Sequence, residues 1–290
     1  MALHSRMRLI RGISVTCCGG DVNKSGRNRG CLGDWGFPSA RRLASTGLLV
    51  YPCGMAPTRD RVLESLVAEL EQHPVNSNVF FQAFRDQYVQ RGQLELFLKQ
   101  YRYFCKHFVK LLEGLLYKTP VDHVGMRIEL VKTLHSELGS GRSERAHIRL
   151  LDRFANALGL SEAELDRTRP IAEVETYMRD LHRLFIESDY LVALGAELAV
   201  EKTAASEFKY LYQGLKKYEC FQEGDLEFFT LHLKEEECHG AWLIEAVQNT
   251  VRTSSDLENV AAGARETADA WHGFWLGLHR EIFGPERVTS

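Results

Sequence analysis

The chain has 290 residues, 44% of them hydrophobic and 26% charged, which is ordinary for a soluble globular protein and long enough to bury a core. A net charge of −3 gives no electrostatic reason to expect nucleic acid or an acidic membrane as partner, and no uninterrupted apolar run approaches the roughly 18 residues of a membrane span. The seven cysteines (Cys17, Cys18, Cys31, Cys53, Cys105, Cys220 and Cys238) are odd in number and lack paired C-x-x-C spacing, so they suggest a reducing cytoplasm rather than a disulfide framework or a zinc knuckle.

Residues 1–54 stand apart. They hold eight Arg/Lys against two acids, are rich in Gly and Ser, and show no long periodicity. The run Leu9-Ile10 is broken at once by Arg11-Gly12, which fits a signal peptide poorly. The expectation is a disordered basic extension, or an artefact of a start codon chosen upstream of Met55, with the folded domain at 55–290.

From Thr58 the spacing is helical throughout. Thr58 is expected to cap a helix through Val62, Leu66 and Leu70, broken at His73-Pro74. A second helix carries Phe80, Phe81, Phe84 and Tyr88, and a long third runs from about Leu94 to Tyr117, stopping at Thr119-Pro120. A fourth spans about Val121 to Leu138 and ends at Gly139-Ser140-Gly141; a fifth spans about Ala146 to Leu158, with Gly159 as its cap. Ser161-Glu162-Ala163-Glu164 opens a short sixth. Pro170-Ile171 begins a helix through Tyr177 and Phe185, and another runs from Tyr190 to about Lys217. A last amphipathic helix through Val260, Ala264, Trp271, Trp275 and His279 is ended by Gly284-Pro285. No stretch alternates as a strand does, so the fold class is an all-α bundle.

The most informative stretch is Phe228-Phe229-Thr230-Leu231-His232-Leu233-Lys234-Glu235-Glu236-Glu237-Cys238-His239. As a helix it places His232, Glu236 and His239 at i, i+4 and i+7, within roughly 60° of one another on one face. Two imidazoles and a carboxylate so aligned form a metal-ligand row suited to zinc, manganese or non-haem iron. The alternative is a solvated charge run, and the flanking Phe228-Phe229 and Trp242-Leu243-Ile244 argue against it.

A dinuclear centre in a bundle core takes about five or six ligands from several helices. Glu201 is embedded in a small-residue helix, Ala193-Leu194-Gly195-Ala196-Glu197-Leu198-Ala199-Val200-Glu201, with Glu197 as its rival. Glu137 and His147 flank the Gly-Ser-Gly break, so one ends a helix and the other starts the next, and both can face one centre. Glu144 is an extra candidate one turn before His147, and His135 is a rival to His147. Candidate pocket walls are Phe104, Phe108, Phe185, Tyr190, Tyr210 and Phe229.

The order Glu137, a Gly-containing turn, His147, Glu201 and then His232-x3-Glu236-x2-His239 resembles that of the haem-oxygenase-like di-iron oxidases, relatives of the TenA-like and PqqC-like helical proteins, over about residues 60–250. The resemblance implies a haem-oxygenase-like helical bundle with a di-metal site in its core. The ligands it implies for two Fe(2+) per chain are Glu137, His147, Glu201, His232, Glu236 and His239, with O2 as co-substrate. One departure is that the family usually has Asp where Glu236 stands. The implied activity is oxygen-dependent oxidation of a small amine or amino acid, N-oxygenation first and C–C cleavage second. The expected partner is a small-molecule amine, amino acid or carboxylate, with a homodimer left open and cytoplasmic residence. Two alternatives compete: a metal-free PqqC-like oxidase or TenA-like thiamin hydrolase using Cys238 or Cys220, and a helical metal-binding protein without turnover.

Overall fold

Residues 59–284 are described by the computed structural model, apart from the side chains of 59, 60 and 235–242. The basic stretch 1–54 lies outside the described residues. Among the described residues ten α-helices follow one another in the order α1 (Arg59–Gln72), α2 (Val79–Asp86), α3 (Arg91–Lys118), α4 (Val124–Glu137), α5 (His147–Ala157), α6 (Glu162–Asp166), α7 (Ala172–His182), α8 (Tyr190–Leu215), α9 (Glu227–Thr250) and α10 (Ser254–Phe283). Among the described residues there is no strand, and no helix is long and apolar enough to cross a membrane.

The boundaries follow from local chemistry. Asn78 caps α2 by accepting from the Phe80 amide at 2.9 Å, and its side-chain amide reaches the His272 carbonyl, which ties α2 to α10. Ser161 with Glu164 and Thr253 with Asp256 form capping boxes that start α6 and α10. Three expectations shift. The second helix stops at Asp86, and Tyr88 instead packs edge-on against Tyr218, 5.3 Å between centroids. The fourth helix begins at Val124 because a turn, His123 amide to Pro120 carbonyl, precedes it. The helix through Tyr177 widens into a π-turn at Arg183–Glu187, which buries Leu184 and Phe185.

Helix α8 runs through the middle of the bundle, packed against α1, α2, α3, α9 and α10. Its approach to α10 is backbone to backbone. A Cβ on Gly195 would stand 1.9 Å from the Val260 carbonyl oxygen, and one on Gly263 would stand 1.9 Å from that of Val192. Close packing of α8 is what drives its acids, Glu197, Glu201 and Glu207, into the interior. Around them Phe80, Phe84, Phe97 and Trp275 stack, the closest pair of centroids being 4.9 Å apart.

Candidate metal centre and its cavity

Glu137 is the last residue of α4 and His147 the first of α5. Between them the chain reverses through three successive left-handed residues, Gly139 (φ 84°), Ser140 (φ 53°) and Gly141 (φ 84°). Gly139 has no room for a side chain, since a Cβ would stand 2.2 Å from the Arg142 carbonyl oxygen. That turn folds α5 back so that His147 Nδ1 lies 3.0 Å from Glu137 Oε1.

His232 meets them from α9. Glu137, His147 and His232 each offer a ligand atom, and these atoms lie within 4.8 Å of one another. A first-row metal with bonds of about 2.1 Å spans at most about 4.2 Å between opposite ligand atoms, so small rotations close the three on one ion. The donor set, two imidazoles with carboxylates, is the kind that suits non-haem iron. The His232 ring is fixed on three sides. Its Nδ1–H donates to the Phe228 carbonyl at 2.7 Å, Phe208 stacks on it at 4.1 Å and 16°, and the His147 ring meets its edge at 4.5 Å. With Nδ1 protonated, Nε2 carries the lone pair that a metal takes.

These residues share a cavity of about 260 Å³ with Glu201. Glu201 is buried and lines the cavity, whereas its rival Glu197 lies one helical turn behind it. Burial pushes the Glu197 carboxyl well above its usual range, helped by the charge and hydrogen bonding of Glu201 and by the charge of Glu137. Burial thus favours the protonated form of Glu197. Glu144 is exposed in the turn Ser143–Arg145 and does not line the cavity, and His135 is also exposed. Glu236 and His239 belong to α9, but their side chains lie outside the described residues.

Of the expected walls, Phe104 and Phe108 line the cavity. Phe185 and Phe229 are in the core elsewhere, Tyr210 stacks on Phe81, and Tyr190 pairs with His123. Tyr101, Tyr177, Phe208, Phe228 and Trp271 take their places. The sequence reading also missed Glu207. It is 3% exposed and lines the cavity, where its two oxygens accept from Tyr101 Oη at 2.5 Å and Trp271 Nε1 at 2.9 Å. Burial pushes it up to about 8 against the opposing pull of those two hydrogen bonds. The signal that flagged Glu201, an acid embedded among small residues, was also present in Ala204-Ala205-Ser206-Glu207. Cys105, half-buried on the same wall, has its thiol pushed well up by burial, then by the charges of Glu207 and Glu137.

Comparison with known proteins bears on the fold and the family. A 4-aminobenzoate synthase of Nitrosomonas europaea is 25% identical over 228 residues, covering 76% of this chain and 89% of that protein. A CADD-like protein from Nostoc punctiforme superposes with a TM-score of 0.64 at 26% identity, covering 77% of this chain and 97% of that one. A protein with a haem-oxygenase-like fold from Shewanella denitrificans superposes with a TM-score of 0.63 at 14% identity, over 78% of this chain and 94% of that one. The all-helical fold is thus haem-oxygenase-like. The model of a family described as iron-containing redox enzymes matches residues 95–272, a span that includes Glu137, His147, Glu201 and His232. By that match the chain belongs to the iron-containing redox enzyme family.

Proposed function

We propose that the protein is an oxygen-dependent, non-haem di-iron enzyme that oxidises a small amine or amino acid. The observation that carries this is the convergence of Glu137, His147, Glu201 and His232 on one cavity whose other walls carry seven aromatic rings. These four would hold the metal, with Glu236 and His239 of α9 completing a two-iron set. Ferrous iron bound by imidazoles and carboxylates supplies the electrons that reduce dioxygen.

The chain's own residues do the rest. The Phe228 carbonyl and the Phe208 ring fix the plane and tautomer of His232. Tyr177, Trp271 and Phe104, with centroids 4.6–5.5 Å apart, make a wall that excludes water. Glu137, with its side chain 17% exposed, and the exposed Leu138 beside it both line the cavity. The relative named 4-aminobenzoate synthase adds 4-aminobenzoate to the products to look for.

A thiamin-hydrolysing reading has less support. Of the two cysteines considered, Cys220 is exposed and lies off the cavity and the Cys238 side chain lies outside the described residues, while Cys105 on the cavity wall is held in its thiol form by burial, the opposite of what a nucleophile needs. The test is anaerobic titration with Fe(II), then dioxygen, with amines, amino acids and aromatic amines screened by mass spectrometry. Two irons per chain and oxygen consumption that depends on an amine are expected. Absence of iron uptake by the full-length protein would overturn the reading. Expression in a bacterium that requires 4-aminobenzoate checks directly whether that compound is a product.

A further inference from the structure

Glu207 is not needed by the metal set, yet it is a carboxyl buried in the cavity wall. Its two hydrogen-bond donors, the Tyr101 hydroxyl and the Trp271 indole, are both neutral. Among the described residues no Lys, Arg or His forms an ion pair with it; Lys106, the cation nearest the cavity, pairs with Asp166 at 2.6 Å. Two neutral donors hold an acceptor in place without cancelling its charge. Burial favours the neutral form of this carboxyl, and a cation brought against it would let it ionise in place, so the partner that the site lacks is a cation.

The surroundings suit a particular cation. Tyr101 and Trp271, whose O–H and N–H meet this carboxyl, and Phe104 line the same cavity, with Tyr101 6.2 Å and Trp271 5.0 Å from Phe104 between ring centroids. Aromatic faces attract an ammonium and accept the apolar body attached to it. Phe228 connects the two ends of the cavity, lying 6.1 Å from Tyr101 and 4.5 Å from His232. A molecule held at Glu207 therefore lies along the wall that ends at the candidate ligands.

We infer that Glu207 is the docking point for the ammonium group of the substrate, held between Tyr101 and Trp271, and that the substrate class is a primary amine with a ring or short apolar body. This deepens the proposed function and rests on it only in taking the cavity as the substrate pocket; the binding itself needs no iron.

The test is calorimetry on the metal-free, full-length protein with benzylamine, benzyl alcohol and benzoate as probes of one shape and three charges. Benzylammonium is expected to bind at least about tenfold tighter than the alcohol, as charge-assisted hydrogen bonding requires, with benzoate weakest. Because Glu207 titrates near 8, benzylammonium binding at pH 8 should release protons, read as a dependence of the heat on buffer ionisation enthalpy. Glu207→Gln should bring amine and alcohol to equal affinity and abolish proton release, with its fold checked by circular dichroism. If that variant does not fold, the wild-type preference and proton release decide alone. Equal affinity for all three probes, tighter benzoate, or no binding of any probe would each overturn the inference. Failure of iron uptake in a separate titration would sink the di-iron reading and leave this one standing.

Discussion

At Glu207, burial and hydrogen bonding pull in opposite directions, and burial wins: the carboxyl titrates near 8 despite two donors that favour its charged form. An unfolded chain would release the same proton near about 4.3. The folded state therefore binds more protons between these values, and stability falls as pH rises from about 4 to 8, then levels off. The cost is on the order of a few kcal/mol, from about 1.4 kcal/mol per pH unit. Glu197 adds a slope of the same sign. Thermal melting of the metal-free protein at pH 5 and pH 9 should show the wild type losing several degrees over that interval. Glu207→Gln should lose distinctly less, since the amide does not ionise. The same pH dependence in both proteins would remove Glu207 as its source.

At the scale of elements, the joint between α4 and α5 sets the distance between Glu137 and His147. Gly139 and Gly141 share a φ of 84°, but only Gly139 has backbone where a Cβ would go; Gly141 has nothing within 4 Å. Gly141→Ala should therefore cost only the left-handed strain, about 1–2 kcal/mol. Gly139→Ala must also move the 142–146 backbone, and with it His147. It should melt at a lower temperature and bind Fe(II) more weakly than Gly141→Ala, as measured by calorimetry and metal titration. This joint was readable in the sequence because Gly-Ser-Gly is a local signal, as are the 3–4 spacing of α3 and the capping box of α6. Glu207 carries the same small-residue context as Glu201, but its partners were not readable. Tyr101 and Trp271 lie 106 and 64 residues away, and only the folded bundle turns this acid of α8 toward them. The misplaced walls have the same origin. Phe185 and Phe229 are buried as their patterns require, but burial alone does not say which cavity a ring faces.

At the scale of the whole molecule, the candidate ligands come from the end of α4, the start of α5, the middle of α8 and the body of α9. Only the folded bundle brings these four elements together, so the unfolded chain holds no comparable site. A metal that binds only the folded form stabilises it by mass action, by about 2.7 kcal/mol per ion at a hundredfold excess over Kd. For a domain of this size each kcal/mol raises the melting temperature by about 2–4 °C. Anaerobic Fe(II) should therefore raise the melting temperature by at least several degrees, and a second ion should add a comparable increment. His232→Ala, which removes a ligand from the cluster, should lose most of that shift. Glu207→Gln should keep it, because Glu207 sits with Tyr101 and Trp271 rather than with the His147–His232 pair. Differential scanning calorimetry of the three proteins with and without Fe(II) separates the two roles. Equal Fe(II) shifts in wild type and His232→Ala would place the metal elsewhere, and loss of the shift in Glu207→Gln would make that carboxyl a ligand instead of an ammonium site.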